Sequence, residues 1–165
     1  YEICACLVGS EMCIRDRTMA EDIKFRHTMP VQIRFSDVDQ FGHMNNSVYF
    51  SLYDLAKTTY IKDVFGSADW SKLAIVVANI NANFFMPVFF SDHLVIETAV
   101  VHLGHKSFTL LQRAVTTDTH EVKCECRTVM VGYDLATKEP KLISEDYKEA
   151  ICRYEEKTLE ELSKG

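Results

Sequence analysis

Residues 30–36 (PVQIRFS) alternate apolar and polar side chains, placing Val31, Ile33 and Phe35 on one face, and this period predicts a short strand. Turn formers follow over 37–46 (DVDQFGHMNN), with Asn45 or Asn46 positioned to cap a helix. From 47 to 64 the pattern becomes that of a helix of about five turns. Val48, Leu52, Leu55 and Thr59 share one face, and Tyr49, Tyr53, Ala56 and Tyr60 lie beside it. An apolar stripe this broad predicts a helix that is largely buried, not one laid on a surface.

Residues 65–71 (FGSADWS) read as a loop and 74–85 as strand, with Met86-Pro87 and Ser91-Asp92 as punctuation. Three more strands are expected over 93–103, 107–116 and 122–133, joined by turns at 104–105 and 117–120. In the last of these, Val122, Cys124, Cys126, Thr128 and Met130 face one way, while Lys123, Glu125 and Arg127 face the other. One face is then core and the other partly solvated, as an antiparallel sheet allows. A charged amphipathic helix is expected over about 144–162, with Ala150, Ile151, Tyr154 and Leu162 near one side. Strand, long helix, four strands joined by short turns and a tail helix argue for an α+β fold and against alternating βαβ units.

Composition narrows the class. The chain has 165 residues, 47% hydrophobic and 25% charged. That suits one domain, placed over 18–165 with its core at 29–134, large enough to need no disulfide or metal staple. A net charge of −6 excludes general nucleic-acid binding through a basic face, but leaves room for a local basic patch holding one phosphorylated ligand. Wholly apolar runs such as 73–78 (LAIVVA) fall far short of the roughly 20 residues of a spanning helix, so no membrane partner is expected. The six cysteines, at 4, 6, 13, 124, 126 and 152, lack zinc-site spacing and are expected to be free thiols in the cytoplasm, with no metal bound. Cys124 and Cys126 form a CxC that metal or redox chemistry could use; the plainer reading is two small residues on one strand face. Residues 1–17 (YEICACLVGSEMCIRDR) fit neither a signal peptide nor any periodic element, and CLVGSEMCIRDR resembles a translated sequencing-adapter read-through. The natural start is expected at Met19 or Met29, and this segment is set apart as a non-native leader.

The chemistry-bearing stretch runs from Arg34 to Tyr49. It places Asp37, Asp39, Gly42, His43, Asn45 and Asn46 between a strand and the start of a buried helix. A helix N-terminus offers unpaired N–H groups and a positive dipole end to a developing oxyanion. A carboxylate just upstream can serve as base or nucleophile, and Gly42 lets the backbone turn closely past a ligand. From spacing alone, a polar capped loop is the better explanation of the stretch.

The pattern FSDVDxxGHxNNxxYxxxxDxAK resembles the signature of hotdog-fold acyl-CoA thioesterases of the 4-hydroxybenzoyl-CoA thioesterase family. The segment 81–87 (NANFFMP) before Ser91-Asp92, and the hairpin 103–108 (LGHKSF), resemble further pieces of the same family, so the likeness covers about 29–134. The resemblance implies a hotdog fold, an antiparallel β-sheet wrapped around a long central helix. It implies hydrolysis of an acyl-CoA or acyl-carrier-protein thioester in a homodimer or homotetramer with sites at the subunit interface. No cofactor is implied, since coenzyme A is part of the substrate.

Carried over by position, Asp39 is the family's catalytic carboxylate, as nucleophile or as general base. The backbone N–H near Asn46 is the oxyanion donor, and Asn45 and His43 line the site. His43 is also a candidate proton donor to the thiolate, and Asp37 is read as a structural loop acceptor. Asp54 and Lys57 stand where relatives carry glutamate and arginine, and are read as a pair with each other or across an interface. His105, Lys106 and Ser107 match the region that meets the nucleotide. Tyr49, Tyr53, Phe84, Phe85 and Met86 are candidates for the acyl pocket, although each also suits plain core. His27, His93, His102 and His120 are read as structural or exposed. Two rivals remain: an enoyl hydratase or dehydratase pairing His43 with Asp54, and a non-catalytic acyl-CoA binding module.

Overall fold

A computed structural model describes residues 23–66 and 74–164. The expectations for residues 1–17, and for most of the loop at 65–71, lie outside the described residues. The elements run β1 (His27–Val31), a single 3-10 turn (Phe35–Asp37), α1 (Asn46–Phe65), β2 (Ile75–Phe84), β3 (Leu94–Leu103), β4 (Ser107–Thr116), β5 (Val122–Asp134), β6 (Glu139–Pro140), α2 (Glu145–Glu155) and α3 (Leu159–Ser163). The strands form one antiparallel sheet in the order β1-β3-β4-β5-β2, with β6 added to the end of β5. The fold is α+β with α1 laid along the sheet, as expected.

α1 starts where the Asn45 side chain accepts from the Ser47 N–H at 2.9 Å, and stops where Gly66 turns left-handed at φ 72°. Its buried stripe is Tyr49, Tyr53, Ala56 and Tyr60, supplemented by Ile61 and Val64. The N-terminal half packs on Met29, Leu94, Ile96, Ala114, Cys124 and Cys126, and the C-terminal half on Val100, Leu103, Phe108, Leu110 and Met130. Buried hydroxyl and amide groups fix the helix along the sheet. Tyr53 donates from its hydroxyl to the Cys124 carbonyl at 3.1 Å, and Gln112 donates from Nε2 to the Tyr53 carbonyl at 2.9 Å.

Four expectations are corrected. The first strand is 27–31 and not 30–36. Asp37 accepts from the Arg34 N–H and closes the 3-10 turn, so the alternation breaks and Phe35 ends 86% exposed. Pro30 fits because β1 is an edge strand, where a missing N–H costs no ladder bond. Next, α1 is covered on one side only: Leu55 is 54% exposed, because a single sheet shields only one face of a helix. The outer face of β5 is less solvated than expected. Lys123 and Glu125 are buried there, with Glu125 held by Arg113 at 2.9 Å and Lys123 by Glu121. Finally, the tail is two helices. Glu156 turns left-handed at φ 52°, and Thr158 caps a new helix through a reciprocal box with Glu161.

The β1 edge ends with His27 opposite Thr98, and from there the buried Glu155 of α2 takes over. Its Oε1 accepts from the Val100 N–H at 2.8 Å and from the Tyr60 hydroxyl at 2.5 Å, tying β3, α1 and α2 together. Burial raises the Glu155 carboxyl above the usual range, against those two hydrogen bonds. Beside it, Thr59 donates its hydroxyl proton to the Ala56 carbonyl, so it accepts from His27 Nε2 at 3.0 Å. That leaves His27 Nδ1 as a buried lone pair with no partner among the described residues. Glu155→Ala strands two donors in the core and is expected to lower the unfolding free energy by about 2–3 kcal/mol, read from urea denaturation.

Burial holds the His27 imidazole below its usual 6.5, an effect that the Asp63 carboxylate partly offsets. A base lowered on folding contributes its stability fully above the unfolded value and loses it as pH falls through the folded one. Glu155, being raised, works with the opposite sign, losing stabilisation as pH climbs from 4.5 towards its folded value, so the useful comparison is between variants. The stability advantage of wild type over His27→Gln is expected to shrink between about pH 7.5 and about pH 5. Parallel denaturation curves at the two pH values check it.

Candidate active site

The loop 37–45 is a small closed structure built by its own polar groups. Val38 bridges Met44, the Asp39 N–H donates to the His43 carbonyl at 2.9 Å, and the Gly42 N–H donates to the Asp39 carbonyl at 3.0 Å. Gly42 takes φ 79°, and a Cβ placed there would meet nothing within 4 Å, so the backbone angle and not crowding selects glycine. Met44 is buried and anchors the loop in the core, while its N–H donates to the Val88 carbonyl at 2.8 Å. His43 bridges Phe89 and sets its ring edge-on to that phenyl at 5.2 Å.

Asp39 is half-buried. Its Oδ1 accepts from the Phe41 N–H at 2.8 Å and the His43 N–H at 3.4 Å. Oδ2 takes no hydrogen bond from the described residues. The carboxylate is therefore oriented through one oxygen and open through the other. Asp37 is occupied structurally: its side chain accepts from the Arg34 N–H and its carbonyl from the Asn45 N–H at 2.9 Å.

At the helix start, Asn45 Oδ1 accepts from both the N–H and the hydroxyl of Ser47, and the Asn45 carbonyl accepts from the Val48 N–H. The Asn46 N–H has no acceptor among the described residues, at the positive end of a twenty-residue helix. Tyr49 is buried, with its ring 5.3 Å from that of Phe84, and the Phe50 ring also meets Phe84, at 6.5 Å. Burial, with Cys124 and Asp92 nearby, pushes the Tyr49 hydroxyl well above its usual range.

Seven of the nine sequence-derived site residues thus gather at one end of the sheet: Asp39, Gly42, His43, Asn45, Asn46, Tyr49 and Phe84. Lys106 and Ser107 do not. Their hairpin, closed by the Gly104 N–H on the Ser107 carbonyl, lies at the other end of a ten-residue strand about 33 Å long. A cleft of about 520 Å³ also lies at that far end, between Ile75, Tyr133, Leu142 and Tyr147. Asp54 pairs with Lys57 at 2.5 Å, two helical turns past the Asp39 loop, and not with His43.

Cys124 and Cys126 point inward beneath α1. Burial raises both thiols, Cys124 to about 12, as suits core residues. Among the described residues, no three His, Cys, Asp or Glu side chains converge as a metal site, and no helix is long and apolar enough to cross a membrane. Sequence reasoning missed the exposed aromatics around the loop, Phe35, Phe41 and Phe90; the signal for Phe90 is the apolar run 84–90 (FFMPVFF) continuing past the end of its strand.

Known proteins resemble this chain in sequence and fold. The long-chain acyl-CoA thioesterase FadM of Escherichia coli is 26% identical over 123 residues, covering 73% of this chain and 93% of that protein. A Thermus thermophilus thioesterase solved with coenzyme A and zinc superposes with a TM-score of 0.74 at 26% identity, covering 82% of this chain and 98% of that one. The 1,4-dihydroxy-2-naphthoyl-CoA thioesterase Slr0204 of Synechocystis shares the fold with a TM-score of 0.69 at 15% identity, over 76% of this chain and 95% of that one. The family model of the thioesterase-like superfamily matches residues 33–151, which takes in the Asp39 loop, α1 and the whole sheet beyond β1. With that match over most of its length, the chain belongs to the thioesterase-like superfamily.

Proposed function

We propose that this enzyme hydrolyses acyl-CoA thioesters at the Asp39 loop. The observation that carries the reading is the pairing, within one short loop, of a carboxylate open through Oδ2 and an unoccupied Asn46 N–H at a helix start. The thioester carbonyl oxygen lies at the Asn46 N–H, where the helix dipole stabilises the negative charge that develops on it. Asp39 either attacks the carbonyl carbon, forming an anhydride that water then cleaves, or draws a proton from a water that attacks directly. Thiolate is a good leaving group, so His43 serves chiefly to set the loop. Only protein groups, water and substrate take part. FadM and the Thermus protein support the acyl-CoA assignment by name and by bound ligand respectively. A hydratase that needs His43 beside Asp54 is disfavoured by the Asp54–Lys57 pair. The free Cys124, Cys126 and Cys152 support a cytoplasmic setting.

The working unit in this reading is a homodimer paired through β2. Among the described residues that strand bonds only β5, and Val76, Val77, Ile80 and Phe84 stand exposed along it. Two β2 edges joined antiparallel about a two-fold axis carry the partner's Lys106 hairpin end to this protomer's Asp39 end. Lys106 and Ser107 then meet the substrate's nucleotide across the interface, although in one chain they lie far from Asp39.

Asp39→Ala is expected to lower kcat/KM by about a thousandfold or more in a thiol-release assay on a panel of acyl-CoAs. Turnover equal to wild type would remove Asp39 from the mechanism. Ile80→Lys, at a site exposed in the protomer, is expected to give a folded monomer with kcat/KM reduced about tenfold or more. Light scattering beside the assay checks it; a fully active monomer would show that one chain completes the site.

A further inference from the structure

Three phenylalanines stand out into water around the Asp39 loop: Phe35 at 86% exposed, Phe41 at 73% and Phe90 at 55%. Each is carried by a turn that an aspartate closes. Asp37 accepts from the Arg34 N–H at 2.8 Å, across the turn that carries Phe35. Asp39 accepts from the N–H of Phe41 itself at 2.8 Å. Asp92 accepts from the Phe89 N–H at 3.0 Å, while its own N–H donates to the Phe89 carbonyl at 3.1 Å, with Phe90 at the bend between them. The turns are tied to one another. The Phe35 and Phe90 rings meet edge-on at 6.5 Å, and His43 of the loop bridges Phe89 and meets its ring. On the core side, Met44, Tyr49 and Val88 belong to one closed cluster and are buried. A lone exposed ring is ordinary, but rings held outward by rigid polar turns around one carboxylate form a prepared apolar surface.

We infer that this surface seats the acyl group of the substrate, and that Phe35, Phe41 and Phe90 set specificity by the apolar area they offer it. The inference rests on the thioesterase reading above. The acyl group is bonded to the carbonyl carbon on which Asp39 acts, directly or through one water, so the tail begins beside that carboxylate. The packed cluster on the core side is closed to it. Phe41, two residues from Asp39, and the Phe35–Phe90 pair give it apolar contact at the surface instead. Because the turns fix the rings before substrate arrives, little ordering entropy is lost on binding. A tail laid on an open surface buries one side only, so each methylene gains about half of what full enclosure gives. Such a surface favours large apolar acyl groups over small ones and sets no sharp upper length.

The experiment measures kcat/KM for thiol release by the purified full chain on butyryl-, hexanoyl-, octanoyl- and decanoyl-CoA, kept below micelle-forming concentrations. For wild type the value is expected to rise about twofold per methylene, a decanoyl-to-butyryl ratio of about sixtyfold. In Phe35→Ala/Phe90→Ala the ratio is expected to fall about tenfold, and in Phe41→Ala, which keeps the backbone N–H that holds Asp39, about threefold. All three side chains are exposed, so their loss takes little from the core. The readout is a ratio between substrates, which a general loss of stability does not shift. A wild-type ratio near one overturns the inference by itself, whatever the variants do. So does a ratio that falls in Phe50→Ala but not in Phe35→Ala/Phe90→Ala, which would put the tail against the helix. A double variant with the wild-type ratio overturns it too, whether the surface then proves to pair two copies, read as a lost dimer by light scattering, or to bind phosphatidylcholine vesicles, read by co-sedimentation. Absence of thiol release from every ester overturns the thioesterase reading instead, and this inference with it.

Discussion

Buried hydroxyl groups decide where the central helix sits. An apolar stripe can slide along a greasy sheet at little cost, but a tyrosine hydroxyl in the core must find its acceptor. Tyr53 finds the Cys124 carbonyl and Tyr60 finds Glu155, while Gln112 reaches back to the Tyr53 carbonyl. These bonds hold the helix at both its middle and its far half. The Asn46 N–H and the Asp39 loop are therefore delivered to one position at the end of β2 and β5. The site inherits its placement from polar contacts that take no part in its chemistry.

The loop is stiff for a related reason. Its hydrogen bonds are nearly all spent internally, on Asp37, on one oxygen of Asp39 and on the Asn45 cap. What remains unspent is one carboxylate oxygen and one amide proton, the two groups that the proposed hydrolysis uses. Anchoring through Met44 to Val88 places this remainder beside the aromatic groups of the 84–90 segment. A polar turn on an apolar footing keeps its geometry without help from substrate.

Much of this is legible in the residues. The strand at 107–116 is bounded correctly, and the helix to within a residue at each end, because period and caps agree at both. The gathering of Asp39, Gly42, Asn45 and Asn46 follows from their closeness in the chain. The first strand is misplaced because alternation continues through Val31, Ile33 and Phe35 while a side-chain bond from Asp37 ends it. The break at Glu156 is hidden because charged residues fit a continuous helix as well as two short ones, and only the Thr158–Glu161 box separates them. The separation of Lys106 from Asp39 cannot be read locally at all. It depends on strand direction across the whole sheet, and motif resemblance carries no such distance.

The open edge of β2 also bears on how the protein is made. A freshly folded chain presents a ten-residue strand that is paired on one side only among the described residues, with seven of its ten side chains apolar. Such an edge will recruit the wrong chain as readily as the right one. The slip in register between Val77 and Asn79 bends the strand, and asparagines at 79, 81 and 83 wet its outer side, which blunts runaway stacking without closing the edge. In the proposed homodimer, yield on refolding becomes a contest between two second-order processes, so dilution starves pairing and aggregation alike, and slow addition of unfolded chain to a pool of native protein favours the native outcome.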